Sequence, residues 1–121
     1  MKIFLIDIDG TCCDDIKNED SHLYSTAKPI EGSRDQINKW YDEGNVITFF
    51  TAREEKDREV TDIWLKENGF KYNGLIMGKP RCVNPDDEYI WIDNRKVRGI
   101  TYTSVWTDLK KVNKDILTFG D

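Results

Sequence analysis

Lys2-Ile3-Phe4-Leu5-Ile6-Asp7-Ile8-Asp9-Gly10-Thr11 decides how the rest of the chain is read. After Lys2 the run is apolar and rich in β-branched side chains, with the length of a strand buried on both faces. It ends in two carboxylates two positions apart, Asp7 and Asp9. In an open parallel sheet, ligands bind beyond the carboxyl ends of the strands. Gly10 then releases the backbone into a turn, and Thr11 adds a hydroxyl. An apolar strand that ends in two acids is a poor design for stability and a good one for a metal-assisted reaction.

Outward from this stretch, strand and helix patterns alternate. Residues 12–28 are polar and irregular and read as a loop or small hairpin. Pro29 and Gly32 mark a turn, and Ser33 with Gln36 has capping-box spacing. Ile37, Trp40 and Tyr41 follow at helical spacing, with Gly44 as the stop. Residues 46–50 are a second buried-strand candidate, ending at Thr51-Ala52-Arg53. A helix is expected from about Glu54 to Asn68, with Val60, Ile63 and Trp64 on one side and Glu54, Glu55 and Asp57 in its first turn. Leu75-Ile76-Met77 is a third strand candidate, before Gly78-Lys79-Pro80-Arg81. Tyr89-Ile90-Trp91-Ile92 is a fourth, running into Asp93-Asn94. A fifth strand around residues 104–106 and an amphipathic helix over 108–117 complete the pattern. Right-handed βαβ crossovers then predict an α/β fold, a Rossmann-like three-layer α/β/α sandwich with a mainly parallel sheet and helices on both faces. Trp40, Tyr41, Trp91 and Trp106 are expected mostly in its core.

Composition narrows the field. At 121 residues, 1–121 is read as a single domain. A net charge of -5 argues against a general phosphate-backbone binder, so nucleic acid is disfavoured as a partner. No stretch approaches the roughly 20 apolar residues that span a bilayer, and the N-terminal run is too short for a signal peptide. The expected location is cytoplasmic, with no membrane partner. Cys12, Cys13 and Cys82 are odd in number and two are adjacent, which suits reduced thiols better than a zinc site. His22 lies in a polar segment and reads as a loop residue.

This topology brings polar residues from four apolar runs to one sheet edge: Asp7 and Asp9, Thr51, Lys79 and Asp93. Each has a plain alternative when taken alone. Asp-x-Asp-Gly could belong to a calcium loop, but positions 11 and 13 hold Thr and Cys where further acids are wanted. Thr51 could cap a helix, Lys79 could be a solvated lysine, and Asp93 could sit in a turn. Together they point to phosphoryl transfer. The carboxylates of Asp7 and Asp93, with backbone carbonyl help near Asp9, suit a hard octahedral cation such as Mg2+. Lys79, the Thr51 hydroxyl and the free N–H groups of the following helix start suit phosphoryl oxygens.

Asp7-Ile8-Asp9-Gly10-Thr11, Thr51, Lys79 and Asp93, in this order behind strands, resemble the signature of the haloacid dehalogenase superfamily of phosphatases. Residues 24–30, Thr51-Ala52-Arg53, Trp64-Leu65 with Asn68-Gly69, and Gly78-Lys79-Pro80 further resemble small phosphatase-like proteins associated with capsular polysaccharide biosynthesis. The resemblance implies a magnesium-dependent phosphomonoester hydrolase with an aspartyl-phosphate intermediate, acting on a small phosphorylated molecule such as a sugar phosphate. Asp7 is then the nucleophile and Asp9 the acid and base, while Asp7, Asp9 (through its main-chain carbonyl) and Asp93 hold Mg2+. Thr51, Ala52 and Lys79 then meet the transferred phosphoryl group, and Arg53 and Arg81, one or two residues from these motifs, either reach a second anionic group on the substrate or form surface salt bridges. Asn94 stands where many members carry a second acid. The intervals between motifs are too short for a cap domain, which implies an open pocket that admits a bulky substrate or is closed by another subunit of a homo-oligomer. Two other readings remain at this point: a nucleotide or nucleic-acid-end phosphatase, and a non-catalytic phosphate- or partner-binding protein of the same fold.

Overall fold

The three leading apolar runs form β1 (Ile3–Ile6), β2 (Val46–Phe50) and β3 (Gly74–Ile76). Between them lie α1 (Ser33–Asp42) and α2 (Arg58–Glu67). The structure, a computed structural model, describes residues 1–103 and Trp106. The chain divides into two compact units, Met1–Pro80 and Arg81–Asp121.

In the first unit the strands form a parallel sheet in the order β1-β2-β3. The result is a small Rossmann-like βαβαβ arrangement. Successive strands are added in one direction, so right-handed crossovers place α1 and α2 on the same face of the sheet. The ring contacts agree. Trp40 of α1 stacks on Phe4 of β1 at 4.2 Å. Phe70, just beyond α2, stacks on Trp64 at 5.6 Å and meets Phe49 of β2 edge-on at 5.8 Å. Phe4 pairs with Ile47 and Ile6 with Phe49, and such register partners share a face. Ile6, Ile8, Ile37, Ile47, Phe49, Trp64 and Leu65 are buried there.

One expectation needs correction. On the opposite face Ile3 is 63% exposed, Leu5 37% and Ile76 46%, so β1 is not buried on both sides. Among the described residues of the first unit, α1 and α2 cover one face of the sheet. Alternation of strands and helices predicts parallel pairing, but the side on which each helix packs depends on strand order.

Local boundaries also shift. Ser33 opens α1 without a capping box. Gly32 occupies the N-cap, and the buried Ser33 hydroxyl donates to the Ile30 carbonyl at 2.7 Å. A short 3-10 turn, Glu55–Asp57, precedes α2, which starts at Arg58. Its buried residues are Thr61, Trp64 and Leu65, whereas Ile63 is 45% exposed. The irregular segment contains 3-10 turns over Asn18–Thr26, interrupted at Asp20. Trp40 and Tyr41 are half-buried.

In the second unit, residues 89–92 carry no strand, and all four of their side chains are exposed. Their strand propensity is not realised because a strand is stabilised by a paired neighbour and a covered face. Asp87 closes a turn by accepting the Val83 and Asn84 N–H groups, each at 2.9 Å. Trp106 is buried, with its ring 5.5 Å from that of Tyr102, whereas Trp91 is exposed. Apart from Trp106, the expected fifth strand and terminal helix lie outside the described residues. Among the described residues no helix is long and apolar enough to cross a membrane.

Phe49 and Ile63 separate the two sides of this packing. Phe49→Ala removes a fully buried ring and is expected to cost about 3–5 kcal/mol in urea unfolding. Ile63→Ala is expected to change stability by less than about 1 kcal/mol in the same measurement.

Candidate functional site

Beyond β1 the backbone folds back sharply. The Ile8 carbonyl accepts the Thr11 N–H at 3.1 Å and the Cys12 N–H at 2.7 Å. Gly10 permits this with φ of 79°, and a Cβ there would also come within 3.3 Å of the Asp15 side chain. The turn holds Asp7 and Asp9 at the carboxyl end of the sheet.

Asp7 faces two donors. Thr11 Oγ1 donates to Asp7 Oδ2 at 3.2 Å, and Lys79 Nζ donates to Asp7 Oδ1 at 3.0 Å. Lys79 is placed by the backbone. Its N–H donates to the Thr51 carbonyl at 2.9 Å, while Gly78 N–H donates to the Arg53 carbonyl at 2.8 Å. Its ammonium also stands 5.6 Å from the centre of the Phe50 ring, within cation–π range. The Asp7 side chain keeps 38% exposure and that of Lys79 only 11%. An oriented, accessible carboxylate thus stands beside a largely desolvated cation.

Asp9 has a different environment. Arg53 Nε donates to Asp9 Oδ2 at 2.9 Å and Arg53 Nη2 to Asp9 Oδ1 at 2.7 Å, a bidentate pair. Arg53 is fully buried. Its Nη1 donates to Thr61 Oγ1 at 3.0 Å, and its guanidinium lies 3.8 Å from the centre of the buried Tyr24 ring. Burial by itself would lower the Arg53 pKa. The hydrogen bonds and charge of Asp9 outweigh it and hold the group above its usual value. The expectation that Arg53 reaches outward to a substrate anion is corrected: its side chain is committed beneath the site.

Thr51 is likewise fully buried, and its Oγ1 accepts the Arg53 N–H at 3.1 Å. The Ala52 carbonyl accepts the Asn18 amide at 3.1 Å, and Asn18 in turn accepts the Tyr24 hydroxyl at 3.1 Å. Thr51 and Ala52 thus brace the end of β2. Cys13 Sγ lies 3.6 Å from Asp9 Oδ1, and Cys12 Sγ lies 3.3 Å from the Asp7 carbonyl oxygen. Burial, then the Asp9 charge, pushes the Cys13 thiol up to about 12, and burial likewise raises Cys12. Both are inert packing thiols, as such burial makes them.

Asp7, Asp9, Thr51, Ala52, Arg53 and Lys79 gather within the first unit. Arg81 and Asp93 belong to the second, where both are exposed. Asp93 accepts the Arg95 N–H at 2.9 Å and the Trp91 indole N–H at 3.2 Å, and these bonds hold its carboxyl below the usual range. Among the described residues no three His, Cys, Asp or Glu side chains cluster as a metal site. The oxygen donors offered by Asp7 and the adjacent backbone suit a cation that takes one or two carboxylates and keeps its waters, as magnesium does. Sequence reasoning missed Tyr24, Thr61 and Asn18. The one available signal was Arg53 itself, since an arginine directly after a buried strand needs a carboxylate partner.

No family model matches the chain, and no curated protein matches it. Solved structures do. A structural-genomics target from Vibrio cholerae is 25% identical with a TM-score of 0.57, covering 81% of this chain and 84% of that one. A chain of a Pnkp1/Rnl/Hen1 complex is 19% identical with a TM-score of 0.58, over 73% of this chain and 30% of that one. The chain is thus similar to both in its α/β fold.

Proposed function

We propose that the protein is a magnesium-dependent phosphomonoester hydrolase of the haloacid dehalogenase type, acting on a small phosphorylated metabolite such as a sugar phosphate. The observation that carries this reading is the pairing of Asp7 with Lys79, at 3.0 Å across a separation of 72 residues. A half-exposed carboxylate beside a desolvated ammonium is what attack on a phosphoryl group needs: a nucleophile, and a cation for the phosphoryl oxygens. Thr11 fixes one Asp7 oxygen and so aims the other.

In the first step an Asp7 oxygen attacks phosphorus, an O–P bond forms, and the bond to the leaving oxygen breaks as that oxygen takes a proton from Asp9. In the second step Asp9 takes a proton from water, which attacks phosphorus and releases inorganic phosphate with Asp7 regenerated. Each Asp9 oxygen that accepts from Arg53 retains a further lone pair for this exchange. Asp7 and the Asp9 main-chain carbonyl would hold magnesium, which would supply charge neutralisation at the phosphate.

A second reading keeps the chemistry and changes the substrate to a nucleotide or nucleic-acid end. It is supported by the exposed basic residues Arg95, Lys96 and Arg98 of the second unit. A phosphate-release screen over sugar phosphates, nucleotides and 3′-phosphorylated oligonucleotides, with and without chelator, separates the two. Release that is lost in chelator and confined to one substrate class identifies it. The absence of release from every compound would overturn both readings in favour of a binding protein. Asp7→Asn is expected to abolish release while leaving the circular-dichroism spectrum unchanged.

A further inference from the structure

Arg53 uses three nitrogens on two partners at the base of the site. Nε and Nη2 form a fork on Asp9, and Nη1 donates to Thr61 Oγ1. The guanidinium plane rests against the Tyr24 ring at 3.8 Å. Thr61 is itself fixed, because its hydroxyl donates to the Asp57 carbonyl at 2.8 Å. Arg53, Tyr24 and Thr61 are all fully buried, so none of them meets substrate in this arrangement. The Asp9 side chain, in contrast, keeps 14% exposure. The fork is planar and rigid, so its orientation dictates the plane of the carboxylate it grips.

We infer that Arg53 is a positioning residue: through the Tyr24–Arg53–Thr61 stack it fixes the Asp9 carboxylate in the orientation required for proton transfer to and from the reacting oxygens. This rests on the phosphatase reading above and adds to it a dependence on the leaving group. An alkoxide must receive a proton as its bond to phosphorus breaks, whereas an acidic phenol departs as its anion. Misorienting Asp9 therefore penalises formation of the aspartyl-phosphate selectively for alkyl phosphates, while hydrolysis of that intermediate is common to both substrates. A merely structural Arg53 would lower both activities together.

The test compares an alkyl phosphate with 4-nitrophenyl phosphate, both with magnesium, for the wild type, Arg53→Lys and Thr61→Val. Lysine keeps the charge and loses the fork. Valine keeps the shape of Thr61 and removes the acceptor for Nη1. For Arg53→Lys the expected loss of kcat/KM, which reports the steps up to departure of the leaving group, is about 30-fold or more on the alkyl phosphate and no more than about 3-fold on the aryl phosphate, given what positioned acid–base groups contribute. Thr61→Val is expected to shift the same ratio in the same direction by a smaller factor. If Arg53→Lys does not fold, as judged by circular dichroism, Thr61→Val decides. Equal losses on both substrates, or no loss, in the deciding variant overturn the inference and leave the phosphatase reading standing. A wild type that releases phosphate from neither compound overturns the phosphatase reading and the inference with it.

Discussion

A guanidinium buried without a counter-charge would cost several kcal/mol, and Arg53 is fully buried. Much of the first unit follows from satisfying it. Asp9 has to turn down from the end of β1, which the tight turn at Gly10 allows. Thr61 has to lie one turn into α2, and Tyr24 has to come in beneath from the 3-10 segment. The Asn18 bonds to the Ala52 carbonyl and to the Tyr24 hydroxyl then tie that segment to the end of β2. Four separate stretches of chain therefore meet at one side chain. Loss of Asp9 would remove the counter-charge of Arg53 and, in the proposed reaction, the acid and base as well.

The two acids at the end of β1 show how partner chemistry separates roles. Asp9 is gripped by a planar fork whose geometry is fixed. Asp7 is met by the Lys79 ammonium, a compact point charge on a flexible stem whose donors can reorient. The same carboxylate chemistry two residues apart is thus held rigidly in one place and left adaptable in the other. Asp7 is the more exposed of the two, as the proposed attack on phosphorus requires.

Much of this was legible in the residues. The apolar runs at β1, β2 and β3 announced themselves through β-branched content and the turns that follow. Asp7 and Lys79 could be brought together from topology alone, because parallel strands deliver their carboxyl ends to one edge. What escaped depended on tertiary context. Nothing local distinguishes an arginine that reaches out from one that turns in, so the choice for Arg53 between a substrate anion and a salt bridge stayed open until the structure showed its buried pair with Asp9. The Thr51 hydroxyl was read as a phosphate donor, and in the structure it braces the turn to Arg53. Ile63 fits the apolar stripe of α2 by spacing, yet the helix presents Thr61, Trp64 and Leu65 inward, because Thr61 is needed beside Arg53. Residues 89–92 have every local mark of a strand and no paired neighbour among the described residues.

The shortness of β3 has a consequence for where the molecule is thermally weakest. At three residues, with β2 its only paired neighbour among the described strands, it is the element with least to lose by detaching, and such elements open at lower free energy than the whole. Lys79 follows it by three positions and reaches Asp7 only while the bonds of Gly78 and Lys79 to the end of β2 persist. Fraying of β3 would therefore separate Lys79 from Asp7 while β1, β2 and the helices stayed folded. The site would melt before the protein does.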